Sequence, residues 1–172
     1  GFDEFRGPED FMATYDLQEG VDGGPWGIWD EHLFRAVDDR LRNAEKPLFL
    51  VIFTTTNHPP HGLPGDLEIS DLQAPAELLA RTGELSSTQQ MQMATYQYAC
   101  HELGKWLNRM ESSALLGNTI VGVTGDHTAS MGIPFAQQEL LLQRAVPFLL
   151  LMPPDIADQF EVDTSHAGSH KD

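Results

Sequence analysis

Two short stretches of this 172-residue chain hold side chains able to do chemistry. The first is Asp126-His127, reached through Thr124-Gly125. Neighbouring residues on a strand point to opposite faces, but a turn begun at Gly125 lets both side chains aim at one point. One carboxylate oxygen and one imidazole nitrogen make half of a four-coordinate site for Mn or Zn, with Mg or Ca as poorer matches. The plainer alternative is that Asp126 caps the turn and His127 packs or meets solvent. The second stretch is Thr54-Thr55-Thr56-Asn57-His58. Hydroxyls, an amide and an imidazole suit the oxygens of phosphate or sulfate. The alternative there is a loop whose Thr and Asn side chains bond their own backbone.

The other candidates carry less. His61 lies in Pro59-Pro60-His61-Gly62 and reads as surface, while His32 and His101 read as partnered or exposed helix residues. His166 and His170 would share a helix face and could bind metal, but the intervening Ala167-Gly168-Ser169 disfavours a helix. Cys100 is the one cysteine, so it forms no internal disulfide; inside a helix it reads as a small buried hydrophobe. No Gly-x-Ser-x-Gly elbow, phosphate-cradling glycine loop or cysteine cluster is present.

The elements that must position these residues follow from periodicity. Leu48 to Phe53 is a continuous apolar run, predicted to be a strand buried on both faces. Thr119 to Thr124 and Val146 to Met152 are predicted as two more strands, with Pro147 suited to an edge or a strand start. Between them lie two helical patterns. Residues 30–45 carry Leu33, Ala36, Val37 and Leu41 on one face, with Asp30 and Glu31 at the N-terminal end. Residues 86–112 carry Thr95, Ala99, Leu103, Trp106, Leu107 and Met110 on theirs. Residues 1–28 read as irregular chain with one short helix, 57–85 as a long loop, and 137–144 as a helical stretch. The alternation implies an α/β domain with a mainly parallel central sheet flanked by helices. Sites in such sheets form at the carboxyl ends of strands, where both polar stretches fall.

Composition narrows the partners. The chain carries 26 acidic and 10 basic residues, a net charge of −16. A nucleic-acid backbone would be repelled, and so would a surface of anionic lipid. Hydrophobic residues make up 41%, enough for a core at this length. No apolar run reaches the ~18 residues needed to span a bilayer. The chain opens Gly1-Phe2-Asp3 without an initiating Met, so its start reads as a cloning boundary or a processed end.

The order of these pieces resembles the alkaline phosphatase/sulfatase superfamily, and within it the phosphoglycerol transferase (lipoteichoic acid synthase-like) branch. Trp26-Gly27-Ile28-Trp29-Asp30-Glu31 opens a helix as in that branch, and Thr54-Thr55-Thr56-Asn57-His58-Pro59 is similar to its T-x-S-N-H-P segment. Tyr98 through Trp106, with Leu103-Gly104-Lys105, resembles its Y-x-D-x-x-L-G-K-F helix; Cys100 stands where that helix often has Asp. Asn118-Thr119 followed by Gly125-Asp126-His127 is similar to its D-N-T-x-x-x-x-x-G-D-H run, and Ser169-His170-Lys171-Asp172 matches a later landmark. The continuation Thr128-Ala129-Ser130 differs from the Gly-Glu of typical sulfatases and phosphoethanolamine transferases.

The resemblance implies that residues 1–172 are the C-terminal portion of one catalytic domain, with the nucleophile and the remaining metal ligands upstream. It implies Asp126 and His127 as metal ligands and His58 as a substrate contact. The expected substrates are phosphodiester or sulfate ester groups of anionic envelope lipids or glycans. The expected location is the cell membrane, anchored by upstream helices, with the catalytic domain on the periplasmic or extracellular side. A true sulfatase, or a non-catalytic relative that binds an anionic ligand, is the alternative. On its own the chain is expected to be inactive and to self-associate through an exposed sheet edge.

Overall fold

The computed structural model describes residues 2–65, 67, 74–128 and 131–160; His166 and His170 lie outside them. Two helices form the centre. Helix α2 spans Asp30–Arg42 and helix α4 spans Ser87–Ser112, close to the ranges that the 3.6-residue period predicts. Ser86 starts α4 with a capping box. Its hydroxyl accepts from the Gln89 N–H at 3.3 Å, and its own N–H donates to Gln89 Oε1 at 2.9 Å. The apolar faces meet through Phe34 and Trp106, whose rings stack at 5.2 Å, and over Met110, which is fully buried. Each such side chain contributes about 1.5–3 kcal/mol by leaving water.

The remaining elements are short. Helix α1 is Pro8–Tyr15, α3 is Ala76–Thr82 and α5 is Pro154–Ala157. The 137–144 stretch holds only a 3₁₀ turn, Gln137–Glu139. Strands β1 (Gly23–Gly24) and β2 (Gly27–Ile28) pair antiparallel around a tip formed by Pro25 and Trp26. A side chain at Gly23 would meet the Gly27 carbonyl at 2.5 Å, so this close crossing requires glycine.

The predicted parallel sheet is not what these strands form. Strands β3 (Val121–Thr124) and β4 (Phe148–Leu151) pair antiparallel, with Val121 opposite Leu151 and Thr124 opposite Phe148. A parallel pair needs a crossover connection, usually a helix. Among its described residues, the 125–147 connection carries only the 3₁₀ turn, and it brings the chain back alongside β3. Leu48 to Phe53, predicted to be a strand buried on both faces, joins neither sheet. It keeps the two-residue alternation of a strand: Leu50 and Ile52 pack on the helical core, while Phe49, Val51 and Phe53 stay exposed. The fold is mixed α/β, with helices and two small antiparallel sheets among the described residues.

Candidate metal and anion site

Asp126 and His127 follow β3 through Gly125, so their positions descend from the packing of Val121 and Val123 on the core. A side chain at Gly125 would press on Val146 at 3.3 Å, which keeps the turn small. Both side chains are exposed, at 87% for Asp126 and 75% for His127. The His127 N–H donates to Asp126 Oδ1 at 2.9 Å, leaving Oδ2 free. His127 Nδ1 lies 3.1 Å from the Thr128 carbonyl. A carbonyl only accepts, so the ring proton sits on Nδ1 and Nε2 offers a lone pair. Metal-ligating histidines are commonly oriented by this kind of bond from the other ring nitrogen.

The free atoms, Asp126 Oδ2 and His127 Nε2, are 3.4 Å apart. Two ligands at the usual Zn–N and Zn–O distances, spread at the tetrahedral angle, are separated by about 3.4 Å. The pair therefore fits one edge of a four-coordinate centre. Among the described residues no group of three or more His, Cys, Asp or Glu side chains completes it.

His58 is held elsewhere. Its Nδ1–H donates to the Pro59 carbonyl at 2.7 Å, which again leaves Nε2 free at the surface. The Trp26 indole packs at 4.6 Å from the His58 ring, and its N–H donates to the same Pro59 carbonyl at 2.6 Å. The β1–β2 hairpin thus braces the His58 loop through Trp26. Among the described residues no hydrogen bond, ion pair or ring contact joins His58 to Asp126 or His127.

The rest of the threonine stretch is structural. Thr56 is buried, and its hydroxyl donates to Asp30 Oδ1 at 2.8 Å. The Asp30 N–H, at the first position of α2, donates in return to Thr56 Oγ1 at 3.2 Å. Thr56 thereby caps α2 from outside the helix, satisfying one of its orphan donors. Asn57 accepts from the buried Thr95 hydroxyl of α4 at 2.9 Å, and His61 Nδ1 lies 3.1 Å from the same hydroxyl. Burial, and then the nearby His58, lower the pKa of His61, which favours its neutral form. Thr56 and Asn57 are therefore occupied within the fold. The exposed residues left in the predicted anion-binding stretch are His58 and Thr54.

Sequence reasoning missed the buried polar cluster under this loop. Asp30 is fully buried, with Oδ2 lacking a hydrogen-bond partner, and the buried Tyr98 hydroxyl lacks one as well. Burial raises the pKa of Asp30 against the opposing Thr56 bond, and the adjacent Glu102 raises it further. Burial likewise raises the Tyr98 hydroxyl. A polar residue at a buried helical position, as Thr95 is, was the available signal. Cys100, expected to be buried, is exposed. It lies on the outer side of α4 beside Tyr96, away from the face that Trp106 and Met110 define.

The family model Sulfatase matches residues 1–171. The chain belongs to the sulfatase family. That membership covers the helical core, the His58 loop and the Asp126-His127 turn alike, and it points to an ester hydrolase class of enzyme. No solved structure matches the chain.

Proposed function

We propose that this sulfatase-family chain supplies two ligands, Asp126 and His127, to a divalent metal centre, Mn or Zn, that serves cleavage of a phosphodiester or sulfate ester. The observation that carries the reading is the 3.4 Å separation of Asp126 Oδ2 and His127 Nε2, with Nδ1 tied to the Thr128 carbonyl. A metal held there supplies Lewis-acid stabilisation of charge on the ester oxygens and activation of a nucleophile. Asp126 and His127 contribute donor atoms that the turn after β3 brings together. His58, braced by Trp26, presents Nε2 to the anionic group, and in its protonated form it donates a charge-assisted hydrogen bond.

The finer assignment within the family is the phosphoglycerol transferase branch. The Thr54 to Pro59 and Asn118 to His127 segments support it, as does Thr128 in place of glycine. It places the substrate among anionic lipids or glycans of the cell envelope, with the enzyme outside the cytoplasmic membrane and anchored there. No helix among the described residues is long and apolar enough to cross a membrane. An anchor would therefore come from other parts of the polypeptide.

The test measures bound Mn and Zn, and turnover of a chromogenic phosphodiester and a sulfate ester, on the polypeptide that includes the family's nucleophile. Asp126→Ala and His127→Ala should each lose metal and nearly all turnover. His58→Ala should keep its metal and weaken substrate handling about 10–100-fold, the range of one hydrogen bond to a charged group. Equal metal loss in the His58 variant would show that its role is misassigned. Preference for the sulfate ester would favour a sulfatase over a transferase.

A further inference from the structure

The loop that carries His58 closes on one buried atom. Thr95 of α4 has no exposed surface, and a hydroxyl is costly to bury unless it is bonded. Its Oγ1 lies 3.0 Å from the Gln92 carbonyl, 2.9 Å from Asn57 Oδ1 and 3.1 Å from His61 Nδ1. A hydroxyl has one proton and two lone pairs. The two oxygens only accept, so they share that proton, and His61 donates its Nδ1–H to Oγ1. Asn57 and His61 are four residues apart, so binding both to one oxygen closes residues 57–61 into a ring. His58, Pro59 and Pro60 are its exposed arc, between half-buried ends. The Pro59 carbonyl, which orients the His58 ring through Nδ1, lies on that arc. The Asp30–Thr56 bonds fix the chain just before the ring. Among the described residues, the His61–Thr95 bond is the only hydrogen bond that reaches residues 60–63.

We propose that Thr95 is a positioning residue for His58: it holds both ends of the 57–61 loop from the buried face of α4 and so sets where His58 Nε2 points. The inference rests on the reading of His58 as a contact for the anionic group of the ester. An imidazole on a free loop must be ordered when the ester binds, and that ordering weakens binding. A loop ordered in advance by the fold avoids the loss, and supporting hydrogen bonds of this kind keep a contact group in productive geometry. Trp26 braces the same arc from the β1–β2 hairpin, so His58 is held from two independent elements. Thr95 is fully enclosed and meets neither ester nor metal itself, so its hydroxyl acts only through the loop.

The test uses the polypeptide that includes the family's nucleophile, with the chromogenic phosphodiester or sulfate ester that it turns over faster. Thr95→Val keeps the shape and branching of the side chain and removes the hydroxyl; Thr95→Ser keeps the hydroxyl. Thr95→Val should lower kcat/KM about 3–10-fold, the size of one hydrogen bond, chiefly by raising KM. Bound Mn or Zn should be unchanged, and Thr95→Ser should stay within about twofold of the parent. The deciding readout is the cycle with His58→Ala. Acting through His58, Thr95→Val should change kcat/KM little further once the imidazole is gone. Asn57→Ala cuts the same loop bond while leaving α4 whole, and it should repeat the pattern even where Thr95→Val folds poorly. An equal loss with and without His58 would mark a merely structural role and overturn the proposal. So would parental kcat/KM in both Thr95→Val and Asn57→Ala. Full activity in His58→Ala would overturn the reading of His58 and this inference with it, whereas a weakened His58→Ala with an additive Thr95→Val removes this inference alone.

Discussion

The helices of this chain are amphipathic and its strand segments are apolar almost throughout, and the two regions end in opposite states. Helices α2 and α4 close their apolar faces on each other, and the polar Asp38 between them is fully partnered. Asp38 accepts from the Trp106 indole N–H at 3.0 Å and from Arg109 Nε at 2.8 Å. The strands bury one side on those helices and leave Phe49, Phe53 and Phe148 in water. A helix completes its hydrogen bonds within itself and needs a neighbour only for one face. A strand needs neighbours on both edges as well as on both faces. The region with open edges is therefore the one made of strands, whose partners must come from other segments.

The contrast is tested first where the effect should be greatest. Met110 has no exposed surface and sits among Phe34, Val37, Trp106 and Val121. Met110→Ala should lower the unfolding free energy by about 2–5 kcal/mol, because the removed atoms leave a cavity that the two helices cannot close. Denaturant unfolding of both proteins, compared at equal slope, measures it. A loss below about 1 kcal/mol would mean that the helical centre is as loosely packed as the strand layer, and the contrast would fall.

What the sequence made legible divides along the same line. The helices were readable because an apolar face repeats every 3.6 residues within one segment, and Leu33, Val37, Trp106 and Met110 report it locally. The strands were readable as segments, and their partners were not. Leu48 to Phe53 is apolar at every position, which suits burial on both faces but says nothing of what lies on the second one. The direction of the β3–β4 pair depends on the path of the chain between them, and no residue in either strand encodes that path. The site divides similarly. The Asp126-His127 turn was legible because Gly125 and a preceding strand are local signals. The Asp30–Thr56 clamp spans 26 residues, and Asp30 looks in sequence like an ordinary acidic residue at a helix start.

That clamp offers a second, smaller test, because it belongs to the helical half while its Thr56 end holds the loop of the strand half. Asp30 has a raised pKa, chiefly from burial, so the folded chain holds its proton more tightly than the unfolded chain does. Between the unfolded and folded values the native state binds more protons, and stability falls as pH rises through that window. The stabilising contribution is complete below the ordinary aspartate range and is lost above the raised value. Asp30→Asn keeps an oxygen for the Thr56 hydroxyl and removes the titration. Glu102 and Tyr98 face the same carboxyl, Glu31 faces Tyr98, and all three remain in both proteins, so their effects largely cancel in the difference. Unfolding free energies from pH 4 to 8 should shift progressively in favour of Asp30→Asn. A constant difference across that range would show that Asp30 is ionised and compensated in the fold.

The smallest effect is expected on the outer side of the strands, and it is informative because it should depend on concentration. Phe53 follows Ile52, whose side chain packs on the helical core, but its own ring is 78% exposed. Truncating it removes almost no buried surface from a single copy. In dilute solution Phe53→Ser should therefore change the unfolding free energy by no more than about 0.5 kcal/mol, the ordinary range for a surface substitution. Where copies of the chain associate through the exposed strand edge, the folded state is stabilised by mass action. The parent protein should then melt at a higher temperature as its concentration rises from about 1 to 100 µM, whereas Phe53→Ser should show a smaller rise or none. A loss of several kcal/mol in dilute solution would place Phe53 inside the core of one copy and contradict its exposure. Equal concentration dependence in the two proteins would show that association uses some other surface, so that the strand layer stays open to water.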